Sequence, residues 1–274
     1  MEDARPGNGA ERLGGIGTLS DRDFSAEIGA HDRFASTAIT HPGARRKRNE
    51  DSYASSPAVG VWVVADGVGG YTAGDYASRT VTEALGSLPA DLSAAELLTE
   101  VRGRLAGAHR QLQEEAAKRG PDTIMASTVV VLMARGNYYA CLWAGDSRAY
   151  LLRGGRITQV THDHSFVQEL VDGGSLKPEE AESHPQSNII TRAVGSTEPE
   201  LVLDKITDRL RSGDRFLLCS DGLWKTMHAD DLAALLGAEG ETLAEELLAA
   251  ALERHADDNV TVVTVSVGPE SNED

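Results

Sequence analysis

Four largely apolar runs in this chain abut an aspartate: "VGVWVVAD" ends on Asp66, "YYACLWAGD" on Asp146, "RFLLCSD" on Asp221, and "DDNVTVVTVSV" starts beside Asp258. Short runs rich in Val, Trp, Tyr and Phe, punctuated by Gly, Ser or Asp, read as strands. Strands are expected at residues 37–41, 59–65, 127–134, 138–143, 148–153, 216–219 and 260–267. "YLLRGGRITQV" reads as a hairpin turning at Gly154 and Gly155. Helices are expected over residues 73–88, over "SAAELLTEVRGRLAGAHRQLQEEA" and over "TLAEELLAAALERH". The second opens with a capping box from Ser93 to Glu96 and repeats apolar residues at Leu98, Val101, Leu105, Ala108 and Leu112. The third is expected to start in the same way, from Thr242 and Glu245. Runs of strands with hairpin connections, set between helices, predict antiparallel sheets rather than alternating βαβ units, and hence an α+β sandwich.

Composition narrows the partners. At 274 residues and 41% hydrophobic, the chain is long enough to bury a sizeable core. A formal charge of −17 and a pI near 4.8 argue against nucleic acid and anionic membrane as partners, although "ARRKRNED" is a local basic patch. Two cysteines, Cys141 and Cys219, are too few for a disulfide framework and are expected to be reduced. No run is long enough to span a bilayer, and the N-terminus lacks the basic and apolar regions of a signal peptide, so the cytoplasm is the expected location. Residues 1–34 and 269–274 read as polar tails around one domain at 35–268, since no linker and no internal repeat interrupts it.

Asp66, Asp146, Asp221 and Asp258 all fall at expected strand ends, with Glu50 and Asp51 between two strands. One aspartate at a strand end is ordinarily a turn former. A set of four, joined by an acidic pair, suits hard cations such as Mg²⁺ or Mn²⁺, which take carboxylate, carbonyl and water oxygens. The glycines after Asp66 let backbone approach whatever it holds.

In this order, "RRKRNED", "ADGVGGYTAGDYAS", "LWAGDSRAYLLRGG", "RFLLCSDGLW" and "DDNVTVVTV" resemble the motifs of PP2C-type (PPM family) metal-dependent Ser/Thr protein phosphatases of bacterial type. The resemblance runs from about Thr37 to Gly268. It implies two antiparallel β-sheets flanked by pairs of α-helices, and hydrolysis of phosphoserine and phosphothreonine by a water or hydroxide bridging two ions about 4 Å apart. It further implies that Asp66 bridges two Mn²⁺ or Mg²⁺ ions. The Gly67 carbonyl and Glu50 would serve one ion, and Asp221 and Asp258 the other. Asp51 would orient water beside them, and Asp146, sharing Asp221, is the candidate for a third ion. Arg46, placed before Glu50 as in the family motif, would bind phosphate. Arg45, Lys47 and Arg48 read equally as solvated charge or auxiliary contacts. Phosphorylated proteins, and a Ser/Thr kinase with its substrates, are the implied partners. Residues 164–195 would form a flap beside the site.

Two family positions depart from the pattern. Val68 and Tyr71 stand where relatives carry a histidine, which leaves the leaving-group acid unassigned among His41, His162, His164 and water. "HDH" at residues 162–164 has a metal-like spacing but no third ligand nearby in sequence, and is not taken as a site. A cysteine phosphatase would need an arginine separated from its cysteine by five residues, where this chain has Ser147 after Cys141 and Lys225 after Cys219, and no GK[ST] phosphate loop occurs. The rival to an enzyme is a PP2C-like binding or sensing module without turnover, which lost metal-binding aspartates would mark; here they are present.

Overall fold

The computed structural model describes residues 33–68, 73–120, 122–238, 240 and 242–269. The expected tails at residues 1–34 and 269–274 fall almost entirely outside the described residues, as does Tyr71. In chain order the elements are β1 (Phe34–His41), β2 (Asp51–Ser56), β3 (Val61–Val68), α1 (Ala73–Leu85), α2 (Ala94–Arg119), β4 (Ala126–Ser127), β5 (Val129–Arg135), β6 (Tyr138–Ala144), β7 (Arg148–Arg153) and β8 (Arg156–Gln159). They continue with α3 (Phe166–Asp172), α4 (Pro178–Ala181), β9 (Asp204–Arg209), β10 (Arg215–Cys219), α5 (Asp221–Trp224), α6 (Ala229–Gly237), α7 (Leu243–Glu253) and β11 (Val260–Val267).

Two antiparallel sheets result. One has the order β1-β11-β10-β7-β8, the other β2-β3-β5-β6-β9 with β4 beside β3. Their inner faces meet in a core that includes Trp62, Leu132, Tyr139, Phe216 and Val263. The outer face of the second sheet packs Val63, Val131 and Leu142 against Ala77, Val81, Leu97 and Leu105 of α1 and α2. The outer face of the first packs Leu217 and Val262 against Leu232 of α6 and Leu247 of α7. Central strands are therefore buried on both faces, which is why they read as unbroken apolar runs. The protein is an α+β sandwich of two antiparallel sheets between helix pairs, as expected.

The α2 capping box is present: the Glu96 amide donates to the Ser93 hydroxyl, and the Ser93 amide to the Glu96 carboxylate. The matching expectation at Thr242 is corrected. Thr242 has φ −119° and ψ 23°, outside the extended cap conformation, and its hydroxyl donates to Glu246 instead. Residues 127–134 do not form one strand, because the chain leaves β4 at Ser127 and resumes in β5 at Val129. Nor does the strand containing Val61 stop at Ala65. Asp66 pairs with Asp51 and Gly67 with Ser127, so β3 continues to Val68.

Candidate metal centre

The expected carboxylates gather at one end of the sandwich because the strands that carry them end there. Asp66 lies within β3, opposite Asp51, which opens β2 rather than sitting in a loop. Asp146 follows β6, Asp221 follows β10, and Asp258 precedes β11. Glu50 immediately precedes β2.

Three residues that sequence reasoning passed over hold this end together. Asn259 accepts from the Glu50 amide (2.8 Å) and donates to the carbonyls of Pro42 (3.0 Å) and Arg48 (2.9 Å), while its own amide donates to Asp258 (2.8 Å). One buried amide side chain thus fixes the loop carrying Arg46, the Glu50 backbone and Asp258. Thr128 accepts the Asp66 amide on its hydroxyl (3.0 Å) and donates its own amide to the Asp66 carbonyl (2.8 Å). Its Oγ1 also meets the Ser147 hydroxyl at 2.7 Å, which links Asp66 to the turn that carries Asp146. Lys225 donates to Asp221 (2.6 Å) and to Asn188 (2.7 Å). The signal for Asn259 was present in "DDNV", a polar residue where the apolar run should begin.

Asp51 and Asp146 are buried, while Glu50, Asp66, Asp221 and Asp258 are partly accessible. Burial, reinforced by Asp51, Asp221, Asp146 and Asp258, raises the Asp66 carboxyl well above the usual carboxylate range. Burial pushes Asp51 up to about 7, against the opposing pull of hydrogen bonds from Ser220 and Thr261. It also pushes Asp146 up to about 7, with Asp221 adding to the shift and Lys225 opposing it. Glu50 is raised by burial, with Arg46 pulling the other way. The cluster accumulates more negative charge than its surroundings offset, and a bound cation is one way to relieve it.

Among the described residues, no three His, Cys, Asp or Glu side chains are already drawn together as a coordination shell. Arg46 instead holds Asp258 (2.7 Å) and Lys225 holds Asp221. The donor set nevertheless fits a hard divalent cation on three grounds. Every donor is an oxygen. Asp51 Oδ1 is buried without a hydrogen-bond partner, although Oδ2 accepts from Ser220 and Thr261 at 2.7 Å each. The backbone at Gly67 is packed so closely that a Cβ there would overlap the carbonyls of Gly74 and Glu50, which keeps any side chain out of that space.

Arg46 is exposed at the rim, and its guanidinium pKa is raised by the hydrogen bond to Asp258. Arg45 pairs with Asp257 (2.9 Å), and Lys47 and Arg48 are exposed beside it. The histidines point elsewhere. His41 accepts from the Gly43 amide, and His162 pairs with Asp172. His164, buried, accepts from the Gly145 amide and meets Asp204 at 3.2 Å, so His162 and His164 share no ligand space. Residues 164–195 contain α3 and α4 and are anchored by bridges from Ser165 to Ile190 and from Ser127 to Val194.

A profile of the protein phosphatase 2C family matches residues 43–255. The chain is 39% identical over 227 residues to the serine/threonine protein phosphatase PstP of Mycobacterium tuberculosis. That match covers 82% of this chain and 43% of PstP, so the chain spans less than half the length of that relative. Among solved structures, it resembles PppA, a key regulatory component of T6SS in Pseudomonas aeruginosa, with a TM-score of 0.80 and 40% identity over 86% of this chain and 98% of that one. It also resembles the catalytic domain of PstP in complex with two manganese ions, with a TM-score of 0.77 and 34% identity over 86% of this chain and 99% of that one. Taken with the sheet order and the carboxylates at the strand ends, these likenesses show that the chain belongs to the protein phosphatase 2C family.

Proposed function

We propose that this protein is a metal-dependent phosphatase that hydrolyses phosphoserine and phosphothreonine in proteins. The supporting observation is the gathering of Glu50, Asp51, Asp66, Asp146, Asp221 and Asp258 at one sheet end beside Arg46. On this reading Asp66, the Gly67 carbonyl and Glu50, with Asp221 and Asp258, hold two divalent ions, Mn²⁺ or Mg²⁺. When bound, these ions supply positive charge to the phosphoryl group and an acidified water as nucleophile.

The chain's own residues do the rest. Arg46 is free to turn from Asp258 toward a phosphate, to which its planar fork offers paired donors. Asp51, fastened through Oδ2 by Ser220 and Thr261, keeps Oδ1 without a partner and so free to accept from a water held at the centre. Asn259 holds the Arg46 loop and Asp258 at a fixed separation. With valine at position 68, protonation of the departing serine or threonine oxygen falls to water rather than to a side chain. Residues 35–268 act as one catalytic domain. Phosphorylated proteins are its substrates, a Ser/Thr kinase sets their phosphorylation, and the cytoplasm is its site of action. No helix among the described residues is long and apolar enough to cross a membrane.

The test is phosphate release from phosphoserine and phosphothreonine peptides with Mn²⁺ and with chelator. Metal-dependent release is expected on both. Metal binding without release on any phosphopeptide would overturn the enzymatic reading in favour of a binding module.

A further inference from the structure

Lys225 stands where a third ion would be expected. It caps the single helical turn of α5, four residues after Asp221, so its side chain folds back over that carboxylate. Its ammonium donates to Asp221 Oδ2 at 2.6 Å and to Asn188 Oδ1 at 2.7 Å. Asn188 belongs to the 164–195 segment, so one side chain links that segment to the centre. The neighbouring Trp224 keeps the arrangement rigid. Its indole donates to the Asp146 carbonyl (3.0 Å), and Arg148 stacks on its ring at 3.5 Å. The Lys225 ammonium itself lies 5.3 Å from the ring centre.

Lys225 is also the positive group that acts on buried Asp146. Its place is fixed by geometry, between the Asp221 carboxylate and the Asn188 side chain. A third ion beside Asp146 and Asp221 would have to displace an ammonium held by two hydrogen bonds.

We propose that Lys225 is a built-in cation that takes the place of a third metal ion at Asp146 and Asp221 and ties the 164–195 segment to the centre through Asn188. This rests on the two-metal reading above. Lys225 is a positioning residue, and its effect is read in metal stoichiometry rather than in turnover.

The test is equilibrium dialysis of the full chain against Mn²⁺, with bound metal counted per chain. Wild type and Lys225→Arg are expected to bind two ions. Lys225→Met, which keeps the stem over Trp224 and removes the charge, is expected to bind a third. Adding Asp146→Asn to Lys225→Met should return the count to two. Hydrogen exchange of residues 184–190 should speed up in Lys225→Met, and circular dichroism checks that each variant is folded. Three ions on wild type, two on folded Lys225→Met, or three retained after Asp146→Asn would each overturn the proposal while leaving the two-metal reading intact. No bound ion on wild type would overturn the two-metal reading itself, and the proposal with it.

Discussion

Asp51 and Asp66 are direct partners across β2 and β3, so two carboxylates project from facing positions of one antiparallel pair. Like charges directly opposite one another in a ladder are destabilising. Here both are held in place, Asp51 by Ser220 and Thr261 and the Asp66 backbone by Thr128. Stability is spent at this position on holding charge in readiness for a cation.

The first prediction is a pH dependence of the metal-free protein. The carboxyls of Asp51 and Asp146 are raised in the folded state from 3.8 to about 7, so between those values the folded state binds more protons than the unfolded one. Stability therefore falls as pH rises across that window. In chelator, the melting temperature should drop between about pH 4 and pH 7 on account of these groups, and Mn²⁺ should restore it at pH 7.5. A chelated protein that gains stability across that window, with Mn²⁺ giving no rise at its upper end, would contradict the electrostatic account.

Arg46→Ala should raise KM about 10- to 100-fold while changing kcat less, the scale of hydrogen bonds to a charged group. Arg46→Lys should recover little of it, since a point charge lacks the paired donors. Steady-state kinetics on a phosphothreonine peptide read both. A loss confined to kcat would move Arg46 from binding phosphate to organising Asp258.

Asn259→Ala should cost about 10- to 100-fold in Mn²⁺ affinity or activity, as expected for a residue that orients metal ligands. It also leaves the Glu50 amide and the Arg48 carbonyl without their partner. Mn²⁺ titration by calorimetry checks the affinity, and unchanged affinity would show that the loop holds its shape without this amide.

Much of the fold and most of the acidic cluster were legible because central strands and their terminal aspartates give sharp contrasts of polarity. "LWAGD" and "LLCSD" announce both a buried strand and its end. The strands that escaped notice, β2 ("DSYASS") and β9 ("DKITDR"), are the two edges of one sheet, where polar and charged residues protect against pairing with other chains and blur the period. The short α6 carries its contribution on Leu232 and Leu236, too few turns for a period to stand out. Asn259, Thr128 and Lys225 were hidden for a different reason. Each acts on residues distant in sequence or across a helical turn, through hydrogen bonds that only the assembled sheets create.

Gly67→Ala should disrupt the centre out of proportion to its size. An added Cβ meets the Gly74 and Glu50 carbonyls, which are backbone and cannot swing aside. Overpacking of this kind costs about 1–3 kcal/mol, read as a lower midpoint in urea, and Mn²⁺ affinity should fall with it. Wild-type stability and affinity in the variant would show that β3 and α1 can separate freely at this point.

The most direct test of the central claim is turnover of a phosphothreonine peptide as Mn²⁺ is titrated against chelator, with Asp66→Asn run beside wild type. Wild type should release phosphate only with metal. The variant should lose more than about 100-fold, beyond the 10- to 100-fold typical of residues that merely support a metal site, while its metal-free melting temperature at neutral pH stays level or rises because one member of a crowded group of carboxyls has gone. Wild-type turnover by Asp66→Asn at saturating Mn²⁺ would contradict the assignment of Asp66 as the residue on which the centre is built.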